Sequence, residues 1–252
     1  MIVDAYAHCG RNKYLPAEQL IAVMNDVGID RTILCQHLEE YDNGYLRDVV
    51  KEHSDKFRAV CLIDPTRRDA LDQLKEWQAT GAFRGVRVVA GWLSQYPGLW
   101  LAAMKSGLNL VVYAPNGIKS AAQDIITAAR GCPSACVVVS HLGNPRVVDG
   151  QVVDGMELLT LAQTPNVYVQ LSGQSMFCNY PYAALDSFTT DVVKSFGPSR
   201  ILWGSNLPVS GDSHAVRRDL ALLRPGAWGL DQEGIEWVTS RTAMRVWFAS
   251  AA

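Results

Sequence analysis

"MIVDAYAHCGRNKYL", residues 1–15, is the stretch on which the fold turns. It opens with a short apolar run, Met1 to Tyr6, of the composition that favours strands. The turn behind it, Ala7 to Leu15, holds a single glycine, Gly10, and no G-x-G-x-x-G. An open doubly wound sheet favours a glycine-rich loop at this point, directly after its first strand. A closed barrel makes no such demand, and the rest of the chain separates the two. Seven more runs of the same kind follow: Arg31–Gln36, Arg58–Asp64, Phe83–Val89, Leu108–Ala114, Ala135–His141, Asn166–Ser172 and Arg200–Asn206. Between them lie amphipathic stretches such as "PAEQLIAVMNDVG", "ALDQLKEWQATG" and "IKSAAQDIITAARG", several of them closed by glycine, a usual helix stop. Strand alternating with helix implies parallel strands. Eight strands in 252 residues, with no linker or composition shift, predict one α/β domain over residues 1–252: a single (β/α)8 TIM barrel.

The charge balance, 23 basic against 25 acidic residues, forms no basic stripe and no acidic tail, so neither nucleic acid nor a membrane surface is expected as a partner. No apolar run approaches the ~18 residues of a membrane span. The start of the chain carries Asp4 and His8 almost at once and does not read as a signal peptide. The six cysteines form no C-x-x-C pair, which predicts reduced thiols and a cytoplasmic protein.

In a (β/α)8 barrel the active site lies at the C-terminal ends of the strands. Those ends carry Tyr6 and His8; Gln36 and His37, with Glu39 and Glu40 beyond; Asp64; Tyr113 and Asn116; Ser140 and His141; Gln170 and Ser172; Ser205 and Asn206, and the fourth strand contains Arg84 and Arg87. Four of the five histidines fall at or just beyond these ends, since His214 follows the last one and only His53 lies elsewhere. A single histidine here could be a satisfied core residue, but four at one rim point to a site. Asp4, Tyr6 and His8 alternate and so share a strand face, like a metal site lacking one ligand. Asp4, deep in the strand, is expected to be a buried hydrogen-bond partner, and Ser140 and Ser172 to satisfy backbone groups. Cys9 neighbours His8 on the opposite face of the strand, which argues against a thiol nucleophile. No G-x-S-x-G elbow is present.

The strand ends also resemble a known family. "VDAYAH", "GAFRGVRV", "VVVSHLGNP", "NVYVQLSG" and "RILWGSNLPVS", in this order, are similar to the amidohydrolase-2 branch of the amidohydrolase superfamily, which includes lactonase-like barrel hydrolases. Metal-dependent members typically read D-x-H-x-H at the first segment and G-S-D-x-P at the last. The resemblance implies ligands where this chain has Tyr6, Tyr113 or Ala114, and Asn206, leaving only His8 of that set, with His141 nearby. A catalytic zinc site needs about three histidine, carboxylate or thiolate ligands. The expectation is therefore no metal and no cofactor, although rescue by Cys9, His37, Glu39 or Asp64 stays open.

Without a metal, chemistry falls to organic groups. His8 and His141 are the candidate acid and base. Tyr6 and Asn206 are candidate oxyanion donors, and Arg87 a candidate bidentate partner for a substrate carboxylate, with Tyr113 and Gln36 completing the substrate-binding set. Arg84 reads as structural. The resemblance implies hydrolysis of a small lactone or cyclic carboxylated metabolite, and the missing ligands make it metal-independent. Two alternatives stand beside it: a non-hydrolytic isomerase, cyclase or lyase, and an inactive ligand-binding barrel. A small molecule is the expected partner, and a homodimer is open.

Overall fold

The computed structural model describes residues 1–249. Eight parallel strands run side by side in the order β1 (Val3–Ala7), β2 (Arg31–Cys35), β3 (Phe57–Leu62), β4 (Phe83–Val89), β5 (Asn109–Tyr113), β6 (Val137–Val139), β9 (Val167–Leu171) and β10 (Ile201–Trp203). These are the eight runs of the sequence reading. Helices α1 (Ala17–Val27), α2 (Gly44–Glu52), α3 (Ala70–Ala79), α4 (Trp92–Gln95), α5 (Pro97–Lys105), α6 (Ala122–Gly131), α7 (Asp186–Phe196), α8 (Ser213–Ala221) and α9 (Gln232–Glu236) follow the strands. The result is a nearly closed (β/α)8 barrel.

Both faces of the strands are buried, which is why they read as unbroken apolar runs rather than alternating ones. Inward-facing Ile33, Val60, Val111, Val138 and Leu202 form the barrel interior. Outward-facing Leu34, Cys61, Val88, Leu110 and Val139 meet helix residues such as Leu20, Met24, Leu74, Trp100 and Ile125. The C-terminal segment closes the bottom of the barrel, with Ala243, Val246 and fully buried Trp247 packed against the interior cluster. That segment contains two wide, π-helical turns, Trp237–Arg241 and Met244–Phe248. All six cysteines are unbridged. Among the described residues no helix is long and apolar enough to cross a membrane.

One element departs from the sequence reading. After β6, where strand–helix alternation predicts a helix, the chain forms an antiparallel hairpin, β7 (Arg146–Val148) and β8 (Gln151–Asp154), and then a 3-10 segment, Met156–Gln163. The hairpin turns at Asp149 and Gly150, both at positive φ, as an Asp-Gly two-residue turn requires.

The barrel closes between β10 and β1 without a regular ladder. Side chains replace it. Asp4 Oδ1 accepts from the amides of Tyr6 (3.1 Å) and Ser205 (2.8 Å), and its Oδ2 accepts from the Ser205 hydroxyl. Ser205 Oγ in turn accepts from the Leu207 amide at 3.0 Å. Gln170 donates to the Ala5 carbonyl at 2.9 Å. Just past the strand end, Asn206 N donates to Tyr6 O and His8 N to Leu207 O, both at 2.8 Å. The seam is tight: a Cβ on Gly204 would lie 2.8 Å from that of Tyr6, so only glycine fits. Asp4 is thus the buried backbone partner its position predicted.

Candidate active site

A cavity of about 310 Å³ opens at the C-terminal mouth of the barrel, where His8, Arg87, Tyr113, His141 and Asn206 meet. They come from five strands, β1, β4, β5, β6 and β10, or from the residues just after them. All but Tyr113 are buried. Of the nine non-glycine residues at positive φ among the described residues, six cluster in the loops around the mouth: Tyr14, Glu39, His141, Leu142, Asn144 and Asn206. Strained backbone concentrated in one place is a common mark of a functional site.

Each histidine is anchored through Nδ1. His8 Nδ1 lies 2.6 Å from the Cys35 carbonyl. A carbonyl can only accept, so Nδ1 carries the proton and Nε2 keeps its lone pair. His141 Nδ1 lies 2.9 Å from Ser172 Oγ. Ser172 therefore serves a side chain rather than the backbone group expected of it, whereas Ser140 does donate to the Val112 carbonyl at 3.1 Å. Gly173 crowds the same imidazole: a Cβ there would lie 2.7 Å from His141 Nδ1, and its φ is +66°. The ring is held by both neighbours.

The electrostatics are set by burial and one cation. Arg87 is 5% exposed, donates to the Gln36 carbonyl at 2.8 Å, and lies over the rings of Tyr113 (5.3 Å) and Tyr6 (5.8 Å). Its Nε has no acceptor among the described residues. Desolvation first, and the Arg87 charge second, push His8 well below the ordinary histidine range and His141 down to about 3. Both are neutral imidazoles at pH 7.

Tyr6 and Gln36 sit differently from the other five candidates, which line the cavity. Tyr6 is 1% exposed and lies beneath the histidines, its ring edge-on to His8 (5.0 Å) and His141 (4.7 Å). Its hydroxyl faces the Cys35 thiol and meets no other polar partner among the described residues, and burial raises its pKa well above the usual phenol value. Gln36 spends its amide on the loop after β2, donating to the Asp42 carbonyl (2.9 Å) and accepting from the His37 amide (3.1 Å). It lines a neighbouring cavity instead. Cys9 packs in the outer core, and burial pushes its thiol up to about 12.

Sequence reasoning missed Lys13, Tyr14, Met176 and Val209, which also line the mouth. Tyr14 stacks on His8 at 5.0 Å with rings 17° apart, and Asn206 Nδ2 lies 3.5 Å from Met176 Sδ. The available signal was position alone: a loop that follows a barrel strand builds the catalytic face.

The donor set does not suit a divalent metal. Among the described residues no three histidine, cysteine, aspartate or glutamate side chains converge. Asn206 offers an uncharged amide, and Tyr6 would have to ionise against a raised pKa. The fixed Arg87 cation, close enough to depress both histidines, adds repulsion.

Fold and mouth define a (β/α)8-barrel enzyme architecture with its site at the C-terminal face. The sequence profile of the amidohydrolase family matches residues 6–249, and the chain belongs to that family. Among characterised relatives it is 24% identical to an L-fucono-1,5-lactonase of Burkholderia ambifaria, over 82% of this chain and 80% of that one. It is 26% identical to a 4-sulfomuconolactone hydrolase of Rhizobium radiobacter, over 78% of this chain and 67% of the relative. Crystal structures of an amidohydrolase from Burkholderia multivorans superpose with TM-scores of 0.79 (HEPES-bound) and 0.77 (zinc-bound), each at 17% identity and covering 98% of both chains. The family and its lactonase members mark the chain as a hydrolase.

Proposed function

We propose that this protein hydrolyses a small lactone, or a similar cyclic metabolite bearing a carboxylate, without a metal ion. One observation carries the reading: two neutral, Nδ1-anchored histidines flank a buried guanidinium in a cavity with too few metal donors. The lactonase relatives supply the reaction class.

In this reading Arg87 takes the substrate carboxylate, using donors left over from its single bond to the Gln36 carbonyl. Tyr113, under the guanidinium, forms a wall of the same subsite. A neutral imidazole, His141 or His8, accepts a proton as water attacks the ring carbonyl. The imidazolium so formed returns the proton to the departing ring oxygen. Its charge beside Arg87 makes that return favourable. The Asn206 amide donates to the developing oxyanion, while Tyr6 forms the floor that fixes both imidazoles edge-on. The small-molecule substrate is the only partner this scheme needs.

The test is opening of γ- and δ-lactones by protein passed through a strong chelator, with metal content measured on the same sample. Undiminished turnover without metal supports the scheme. Activity that returns only with added zinc or manganese refutes it. Product analysis decides the chemistry, because an isomerised or decarboxylated product would place the reaction outside hydrolysis.

A further inference from the structure

The catalytic mouth is not the roomiest cavity among the described residues. A space of about 590 Å³ lies between α2 and the α3–β4 turn, near the N-terminal ends of β3 and β4 and so at the opposite end of the barrel. Four cationic side chains line it: Arg47 and Lys51 from α2, Arg58 from β3 and Arg84 from β4. Asp48 is its only carboxylate, and it already pairs with Arg47 at 2.8 Å. Among the described residues, Lys51, Arg58 and Arg84 make no ion pair. The chain as a whole has more acidic than basic residues, so this is a local choice, not a shortage of carboxylates.

The guanidinium groups are also under-satisfied. Among the described residues, the Nε atoms of Arg58 and Arg84 are both buried without an acceptor. Arg58 spends Nη1 on the Ser54 and Phe57 carbonyls. Arg31, the first residue of β2, is a further guanidinium close to Arg58, though outside the cavity lining. Phe248 lies against both Arg31 and Arg58, 5.0 Å from each. Partial burial and the charges of Arg84 and Arg31 lower the pKa of Arg58, so the cluster repels itself. Ser54 and Thr80 contribute hydroxyls to the wall, the Thr80 proton being used on the Trp77 carbonyl.

A concave surface with three unpaired cations, unused N–H donors and one spoken-for carboxylate matches a compact dianion with several acceptor oxygens. We infer that this cavity binds a phosphate-class oxyanion, either inorganic phosphate or the phosphoryl group of a small phosphomonoester. The bound anion bridges α2 to the α3–β4 turn, which links two elements of the barrel wall and resists their separation. The site is independent of the catalytic reading, sharing no residue with the mouth.

Thermal unfolding of the full chain at fixed ionic strength tests it, with chloride exchanged stepwise for inorganic phosphate or for glycerol 2-phosphate. A saturable rise of the midpoint is expected in wild type. In the double variant Lys51→Gln, Arg84→Gln the half-saturating concentration should rise at least tenfold. Lys75→Gln, which removes an exposed cation outside the cavity, should match wild type. Isothermal titration of the same variants reads binding directly and does not rely on stability. Response to both anions points to a phosphomonoester, and response to inorganic phosphate alone to the free ion. An unchanged response in the double variant, or no saturable response to either anion, overturns the proposal.

Discussion

Asp4 holds the one place where the barrel lacks a strand ladder, so replacing it should expose how the seam is stabilised. Its carboxyl is fully buried, and burial, opposed by the bonds from Ser205 and Tyr6, raises its pKa from 3.8 to about 6. A folded-state pKa above the unfolded value means that the folded protein holds the proton more tightly. Stability from this group is therefore present below pH 3.8 and is lost as pH rises through about 6. A rise of that size corresponds to about 3 kcal/mol, of which about 2 kcal/mol falls between pH 4.5 and 8. Asp4→Asn keeps an acceptor for the Tyr6 and Ser205 amides but removes the titration. Relative to wild type it should gain about 2 kcal/mol more at pH 8 than at pH 4.5. Asp4→Ala strands both buried amides, at about 1–3 kcal/mol each, and should be less stable than Asp4→Asn by about 2–6 kcal/mol at either pH. Urea unfolding followed by tryptophan fluorescence at the two pH values measures all three proteins. A pH-independent difference between Asp4→Asn and wild type would show that Asp4 is not a desolvated titrating group. Equal stability of the alanine and asparagine variants would refute the seam argument itself.

Four further outcomes bear on the site and the fold. Lactone turnover should show no limb between pH 5 and 8 from histidine protonation, because His141 titrates near 3, and the rate should fall only as pH drops toward that value. Arg87→Met removes the charge that helps depress both histidines, so a protonation limb should move up toward the ordinary histidine value, read from a kcat/KM profile. His141→Ala should cost at least ~100-fold in kcat if that imidazole transfers protons, and unchanged turnover would remove it from the scheme. Trp247→Ala, at the buried plug of the barrel bottom, should cost about 3–5 kcal/mol in the same urea assay without touching the mouth.

The contrast between strand and loop explains what the sequence could and could not tell. A buried parallel strand is announced by its own composition, since both faces need apolar residues, and all eight barrel strands are legible for that reason. Strand order then fixes where their C-terminal ends converge, which is why His8, Arg87, Tyr113, His141 and Asn206 can be named together. Tyr6 and Gln36 fall at the same strand ends, yet burial beneath the histidines and a bond to the Asp42 carbonyl set them apart. Which side chain at a strand end faces open space depends on bulges and loop bonds, and β1 carries such an irregularity between Asp4 and Ala7. Loop residues obey no period at all. Tyr14 reaches His8 only because its backbone takes a φ of 73°, a fact local to one turn. The hairpin at Asp149–Gly150 is legible in principle, since Asp-Gly between β-branched pairs is a turn signal. The expectation of regular strand–helix alternation hides it. The departures from the family's ligand pattern carry the most physical information. Tyr6 and Asn206 stand where a metal needs charged or imidazole donors, and the same space holds a guanidinium that adds to burial in keeping two histidines neutral. A site that carries its own positive charge has less use for a divalent one. Tyr6→His with Asn206→Asp restores the family's donors yet leaves that cation in place. The double variant should therefore gain tight zinc binding, by titration calorimetry, only when Arg87→Met is added. Tight binding without the third change would show that donor loss alone, and not the resident charge, excludes the metal.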